Sequence, residues 1–326
     1  MKPYIFITRK LPEEAIEVLK EKYEVAMWDK EDIPVSKERL LEEARRADAL
    51  LTMLSDPIDE TILNAGRSLK VVANLAVGYD NIDVAAASKK GVAVCNTPDV
   101  LTDTTADLTF ALMMAAARRL VEAAELIKED KWKSWSPLLL AGQDIHHKTI
   151  GIVGMGKIGE TVAKRATGFD MNILYHNRSR KMEVEEAIGA QYVSFDELVA
   201  ESDFIICLTP LTNETEGLFT RDVFRKMKKT AIFVNASRGP VVDEQALYDA
   251  LAEGDIAGAG LDVFDKEPIS ASHPLLKLNN VTAIPHIGSS SVETRMAMME
   301  LCAENIDLVL SGQAPKTLVN KDWKKS

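Results

Sequence analysis

The stretch KTIGIVGMGKIGETVAKRATGFDMNILYHNRS, from Lys148 to Ser179, decides how the chain is read. Thr149 to Val153 is a short, β-branched apolar run with the pattern of a strand. It meets Gly154-Met-Gly156-Lys-Ile-Gly159 and passes into a helical segment carrying Val162, Ala163 and Ala166. A second strand pattern runs from Met171 to His176. In such a unit the first glycine permits a tight turn, the second lets a pyrophosphate approach the backbone, and the third lets helix and strand pack closely. The N–H groups at the helix start attract the anion. The stretch therefore predicts a dinucleotide site with Gly154, Gly156, Lys157, Ile158 and Gly159 at its turn.

Outward from this unit, 326 residues suffice for two domains. The formal net charge of -11 argues against a nucleic-acid partner and gives no broad basic face for a membrane, so basic residues that bind an anion must act locally. Cys95, Cys207 and Cys302 are widely spaced in apolar segments with no CxxC pair, which predicts core residues in a reducing compartment rather than disulfides or a metal site. Met1 to Thr8 enters a strand pattern directly, without the features of an export signal, and a cytoplasmic location is expected. Phe110 to Ala117 is too short to span a membrane.

Before the glycine turn, short apolar runs at Tyr4 to Thr8, Glu24 to Trp28, Ala49 to Met53, Val71 to Ala76 and Val92 to Cys95 alternate with helical stretches near Glu13 to Lys20, Lys37 to Arg46 and Val84 to Lys89. This alternation predicts a parallel sheet with helices on both faces. From Asp103 a single long helix is expected through Leu126, followed by a surface loop with Trp132 and Trp135, for which an interface with a partner subunit and local packing are both open. A second αβ series has strands at Thr149 to Val153, Asn172 to His176, Phe204 to Leu208, Ala231 to Asn235, Gly258 to Val263 and Val281 to Ile284. A last helix, from about Glu293 to Leu310, is expected to return to the first domain. The expected architecture is α/β, with two Rossmann-like or flavodoxin-like domains and a cleft between them. Residues 1–98 with 288–326 form the substrate domain, and 99–287 the dinucleotide domain.

Three loops of the second series carry polar residues that packing does not require. Asn235-Ala-Ser-Arg238-Gly-Pro240 places an arginine after one strand, Asp265-Lys-Glu267-Pro268 a carboxylate after the next, and Pro285-His286-Ile-Gly288 a histidine after the last. A 2-keto acid presents a carboxylate and a carbonyl. Arg238 suits the first as a bidentate clamp and can polarise the second. The alkoxide formed by hydride addition needs a proton from a group titrating near neutral pH, as histidine does, and Glu267 would orient that ring.

Leu75-Ala-Val-Gly-Tyr-Asp-Asn-Ile-Asp83, the mid-chain glycine turn, Asn235-Ala-Ser-Arg-Gly239, Gly260-Leu-Asp-Val-Phe264, Glu267-Pro268 and Pro285-His-Ile-Gly288 together resemble the D-isomer-specific 2-hydroxyacid dehydrogenase family over nearly the whole chain. Trp132-Lys-Ser-Trp135-Ser-Pro and the residues around Asn177-Arg-Ser179 are most similar to its glyoxylate/hydroxypyruvate reductases. The resemblance implies that Arg238 orients substrate and that His286, partnered by Glu267, is acid in reduction and base in oxidation. It implies that backbone N–H groups near Val77 and Gly78 bind the substrate carboxylate and that Leu54 lines the pocket. Asp262 resembles the residue that holds the nicotinamide carboxamide, and Trp135 the tryptophan lent to the other subunit of a homodimer. The expected cofactor-binding set also takes in Cys207, Ala236, Arg238, His286 and Gly288.

In the simplest NAD fingerprint an acidic residue follows the second strand. Here that strand ends in His176-Asn177-Arg178-Ser179-Arg180, where arginine would bind a 2′-phosphate that a carboxylate would repel. NADP(H) is therefore expected to be preferred, with NAD(H) possible. Expected rivals are a 3-phosphoglycerate dehydrogenase, a formate dehydrogenase, against which Glu267 argues, and a nucleotide-sensing corepressor.

Overall fold

Parallel strands dominate the chain because its apolar β-branched runs are separated by helices, and a helix must carry the chain back before the next strand can begin. The computed structural model describes residues 2–323, which divide into two compact units: one made of residues up to 101 together with 291 onward, the other Thr102–Ser290. The strands are β1 (Tyr4–Ile7), β2 (Glu24–Met27), β3 (Ala49–Thr52), β4 (Val71–Asn74), β5 (Ala93–Cys95), β6 (Thr149–Val153), β7 (Asn172–His176), β8 (Gln191–Tyr192), β9 (Phe204–Cys207), β10 (Ile232–Asn235), β11 (Gly258–Leu261) and β12 (Val281–Ala283). The helices are α1 (Glu17–Lys22), α2 (Lys37–Ala44), α3 (Glu60–Ala65), α4 (Val84–Lys89), α5 (Thr102–Ala117), α6 (Leu120–Lys128), α7 (Lys157–Thr167), α8 (Met182–Ile188), α9 (Phe195–Glu201), α10 (Arg221–Lys226), α11 (Glu244–Glu253) and α12 (Val292–Leu310).

In the first unit the sheet order is β2-β1-β3-β4-β5, all parallel. Tyr4, Phe6, Leu50, Val72 and Val94, alternate residues of four strands, share one face and pack on Leu40, Ile62 and Ala87 of α2, α3 and α4. α12 packs on β3, β4 and β5 and on α1. The last helix thus belongs to the same unit as the first strands.

The second unit holds a seven-stranded sheet, order β12-β11-β10-β9-β6-β7-β8, again parallel throughout. Ile150, Ile152, Ile206 and Val234 face α5 and α7, meeting Phe110, Met113, Val162 and Ala166. Residues one step away, such as Val153, Ile205, Cys207 and Phe233, point to the opposite face and meet Leu198, Phe224 and Leu247. Strand periodicity of two thus fills both faces, as a sheet covered on each side requires. The α/β class and the two parallel sheets agree with the sequence reading.

Two elements correct it. The single helix expected from Asp103 to Leu126 is two helices, α5 and α6, broken where Arg119 takes the left-handed conformation (φ 53°). The break is imposed from outside the helix: the Ala117 carbonyl accepts from Gln143 N (2.9 Å), and Gln143 Nε2 in turn bonds Thr230 O (2.8 Å). Arg119 then restarts the helix through paired contacts with Glu122 (2.9 and 2.8 Å). The helix expected near Glu13 to Lys20 begins as a 3-10 turn over Glu13–Ile16 and becomes α-helical only at Glu17. Cys95, Cys207 and Cys302 are all buried free thiols. No helix among the described residues is long and apolar enough to cross a membrane.

Gly239 shows how closely the chemistry-bearing loops are packed. A Cβ there would fall 1.9 Å from the backbone carbonyl of Phe264, a clash that only backbone movement relieves. Gly239→Ala should cost about 1–3 kcal/mol, as overpacking does, and lower the thermal midpoint by several degrees in differential scanning calorimetry. An unchanged midpoint would show that the two loops are not held together as described.

Candidate active site

β6 ends at Val153 and α7 starts at Lys157, so the glycine turn joins a strand end to a helix N-terminus. Gly154 has φ of 105°, and a Cβ there would lie 2.7 Å from the Leu208 carbonyl carbon, so both conformation and space demand glycine. A Cβ at Gly159 would fall 2.3 Å from Gly154 O, which is the close packing of helix on turn. At Gly156, the residue preceding α7, a Cβ would meet nothing within 4 Å. That open side leaves room for a diphosphate against the backbone, so the turn fits a dinucleotide.

Gly154 N donates to His176 O (3.0 Å), tying the turn to the end of β7 and to the loop that follows. Asn177 Nδ2 donates to Ser179 O (3.1 Å), and Tyr192 Oη holds Asn177 O (3.2 Å). Arg178 and Ser179 are exposed, and Arg178 makes no ion pair among the described residues. Arg180, by contrast, is gripped by Glu185.

Because β10, β11 and β12 run parallel to β6, the loops after them leave from the sheet edge that carries the glycine turn. After β10, the buried Asn235 folds the chain on itself: Oδ1 accepts from Ser237 N (3.0 Å) and Oγ (2.8 Å), while Nδ2 donates to Arg238 O (3.0 Å). This turn sets Arg238, whose Nη1 also bonds Ser237 O (2.8 Å). After β11, Glu267 Oε1 accepts from Phe264 N (3.0 Å) and Oε2 lies 2.7 Å from His286 Nδ1. Burial alone would raise the Glu267 carboxyl. The His286 hydrogen bond and charge, the Phe264 N–H and the nearby Arg238 outweigh it and hold the group below the ordinary carboxylate range. A carboxylate accepting at Nδ1 fixes the tautomer with hydrogen on that nitrogen. Nε2, which has no partner among the described residues, then carries a proton only in the imidazolium form.

His286 stands in the left-handed region (φ 51°) and is held there from below by Asp262. His286 N donates to Asp262 O (2.9 Å), and the Asp262 carboxylate accepts from Ile287 N (2.7 Å) and Gly288 N (2.9 Å). Burial pushes the Asp262 carboxyl up to about 6, against the pull of those two N–H groups and of His286. The structure thus displays Asp262 as the pin of the histidine loop. Cys207 is also part of the scaffold, fully buried with Sγ 3.2 Å from Ser237 Oγ, and Ala236 N bonds Cys207 O (3.3 Å).

In the other unit, Leu54 follows β3 and Val77-Gly78 follows β4. Asn96 Nδ2 takes Val77 O (2.8 Å) and Asn74 Nδ2 takes Gly78 O (3.0 Å), while the N–H groups of Val77 and Gly78 donate to nothing among the described residues. Carbonyls tied back and amides left over make a nest for an anion. Both loops share one buried network. Asn81 Nδ2 donates to Met53 O (3.1 Å) and Asp56 O (2.9 Å), and Asp56 accepts from Met53 N (2.8 Å), Thr8 Oγ1 and Arg9 Nη1 (3.2 Å). Trp132 and Trp135 are exposed in the single chain, so local packing does not cover them; Trp135 is 77% exposed.

The stretches Leu51 to Asp56 and Asn74 to Asp80 stand out in the sequence as ends of strands, and Asn81 lies in the quoted family motif, but the anchoring roles of Asn74, Asn81 and Asp56 were not read from them and Arg9 was missed. The sequence reading also missed Glu244, at the start of α11, which accepts from Asp265 N (3.1 Å) and meets His273 Nε2 (3.0 Å). That carboxylate grips both ends of the loop bearing Glu267. No local pattern announces it.

Residues 110–288 match the family described as D-isomer specific 2-hydroxyacid dehydrogenase, NAD binding domain. The chain is 50% identical over 323 residues to the glyoxylate reductase of Korarchaeum cryptofilum, covering 99% of this chain and 97% of that one. It is also 50% identical over 326 residues to that of Thermococcus onnurineus, with the same coverage. Among solved structures it is similar to an NADPH-dependent glyoxylate/hydroxypyruvate reductase from Sinorhizobium meliloti in complex with NADP and malonate, at 32% identity and a TM-score of 0.84, covering 99% of this chain and 98% of that one. Fold, motif order and full-length similarity agree, and the chain belongs to the D-isomer specific 2-hydroxyacid dehydrogenase family.

Proposed function

We propose that this chain reduces glyoxylate and hydroxypyruvate to glycolate and D-glycerate with NADPH as the preferred cofactor and NADH as a possible one. The observation that carries the chemistry is the Glu267–His286 pair at 2.7 Å on the sheet edge that bears the glycine turn and Arg238. The substrate assignment is supported by full-length similarity to glyoxylate reductases. When bound, the nicotinamide supplies the hydride. Gly154, Gly156, Lys157, Ile158 and Gly159 would hold the pyrophosphate, Asn177, Arg178 and Ser179 the 2′-phosphate end, and Cys207, Ala236, Asp262 and Gly288 the remainder of the dinucleotide. The exposed Arg178 and the absence of a carboxylate at the end of β7 support the preference for NADPH.

The chain's own residues do the rest. Arg238 meets the substrate carboxylate and draws density from the carbonyl oxygen. As the carbonyl carbon is reduced, His286 gives the proton on Nε2 to that oxygen, and Glu267 holds the ring and balances the imidazolium charge. The carboxylate-binding role of the Val77 and Gly78 N–H groups, and the lining role of Leu54, belong to the same reading. A homodimer, with Trp135 lent to the partner, is supported by the apolar side chains left on and after α6: Ile127, Trp132, Trp135 and Leu138 are all exposed. A cytoplasmic location is supported by the three buried free thiols.

His286→Asn should lower kcat with glyoxylate and NADPH by about 10²–10⁴ while leaving NADP⁺ binding intact, the usual scale for loss of a general acid. Near-normal turnover would move the proton donor elsewhere. Glu267→Gln should lower kcat for reduction, because the ring loses the carboxylate that orients it and balances the imidazolium charge, as steady-state kinetics would show. The same substitution has a stability signature. The Glu267 carboxyl is held low in the folded state, so its contribution is present above the unfolded carboxylate range and lost as pH falls through the folded value. The midpoint deficit of Glu267→Gln should therefore be full at neutral pH and shrink in acid, as followed by thermal unfolding; a deficit that grows in acid would contradict the assigned pair. Sedimentation equilibrium should return a dimer, and a monomer at working concentration would remove the role given to Trp135.

A further inference from the structure

The loop that reads the adenosine ribose contains two arginines, yet the structure leaves them in different states. Arg180 Nε donates to Glu185 Oε1 (2.8 Å) and Arg180 Nη2 to Glu185 Oε2 (2.6 Å), a two-point pair. Glu185 is itself anchored, because Oε1 also accepts from Tyr175 Oη (2.7 Å), and the fully buried Tyr175 accepts in turn from Lys181 N (2.7 Å). Glu185 therefore has a fixed place at the base of the loop, and Arg180 is drawn toward it. Arg178 stays exposed, without an ion pair among the described residues.

We propose that Glu185 is a positioning residue that sets cofactor choice, sequestering Arg180 so that the 2′-phosphate is met by Arg178 and its neighbours rather than by two guanidinium groups. For Arg180 to reach a phosphate it must leave a two-point carboxylate partner. The carboxylate left behind would then repel the incoming anion. Both effects oppose NADPH and leave NADH nearly untouched, so Glu185 moderates a preference created by Arg178. The Arg180 hydrogen bond first, and the Tyr175 hydrogen bond after it, hold the Glu185 carboxyl down to about 2, so the pair is charged throughout the working pH range. The inference rests on the reading of this loop as the 2′-phosphate site.

The test is calorimetric binding of 2′,5′-ADP against 5′-AMP, alongside kcat/KM with NADPH and NADH. Glu185→Gln keeps an acceptor for Tyr175 but removes the charge that competes for Arg180. It should tighten 2′,5′-ADP by about tenfold, leave 5′-AMP unchanged and raise the NADPH/NADH ratio in proportion. Arg180→Ala alone should change the 2′,5′-ADP affinity little, whereas Arg178→Ala should weaken it strongly. The double variant Glu185→Gln, Arg180→Ala should show no gain. A wild-type protein that binds 2′,5′-ADP no better than 5′-AMP would overturn the phosphate-site reading itself. If wild type does discriminate, the proposal alone fails when Glu185→Gln leaves the ratio unchanged or lowers it. It also fails when Arg180→Ala, which can be read even if the glutamate variant does not fold, is as damaging as Arg178→Ala.

Discussion

In the second unit, seven strands run in one direction, and that constraint orders everything the site requires. A parallel sheet sends every strand-to-helix loop out of the same edge, so the glycine turn after β6, the arginine after β10, the carboxylate after β11 and the histidine after β12 need no special device to share a side of the molecule. What remains is to fix each loop to within hydrogen-bonding tolerance. Asn235 does this for Arg238, Glu244 for the loop of Glu267, and Asp262 for His286.

These anchors share one chemistry. Each is a side-chain oxygen or amide that satisfies backbone groups where a strand ends and the ladder can no longer do so. Asp262 is the costliest of them, since a buried carboxylate is desolvated, and its raised proton affinity records that cost. The two backbone N–H groups it accepts hold the residues just past His286 in place, so a left-handed histidine can be kept in a rare conformation. The other unit solves the same problem with Asn74, Asn81 and Asp56, and the Val77 and Gly78 N–H groups are left without an acceptor among the described residues.

Cofactor recognition divides in the same way between shape and charge. At the three glycines space alone decides: two exclude a Cβ by contact and the third leaves an opening. The charge reading at the end of β7 is softer, because arginines on an exposed loop can be recruited by a neighbouring carboxylate. Arg180 has been recruited, by Glu185.

Read alone, the sequence determined the α/β class, the succession of strands other than β8, the glycine turn and the polar residues that follow the strands, because period-two apolar runs, glycine turns and polar residues after strands are local patterns with local causes. Glu267 and its partner His286 were visible on the same grounds and Asp262 through the family resemblance, whereas the backbone N–H groups that the two carboxylates accept were not. Only the tertiary structure decided that the helix from Asp103 stops at Ala117, since the group that takes its last carbonyl is Gln143, and only it showed that Glu244 reaches both Asp265 and His273. It also decided which arginine of the Asn177 to Arg180 loop is committed, through the buried Tyr175 that holds Glu185 in place. The physical reason is common to all three. A backbone conformation or a turn is set by residues within a few positions, whereas the partner of an exposed carbonyl, carboxylate or guanidinium is chosen by sheet register and helix placement, which no short window of sequence contains.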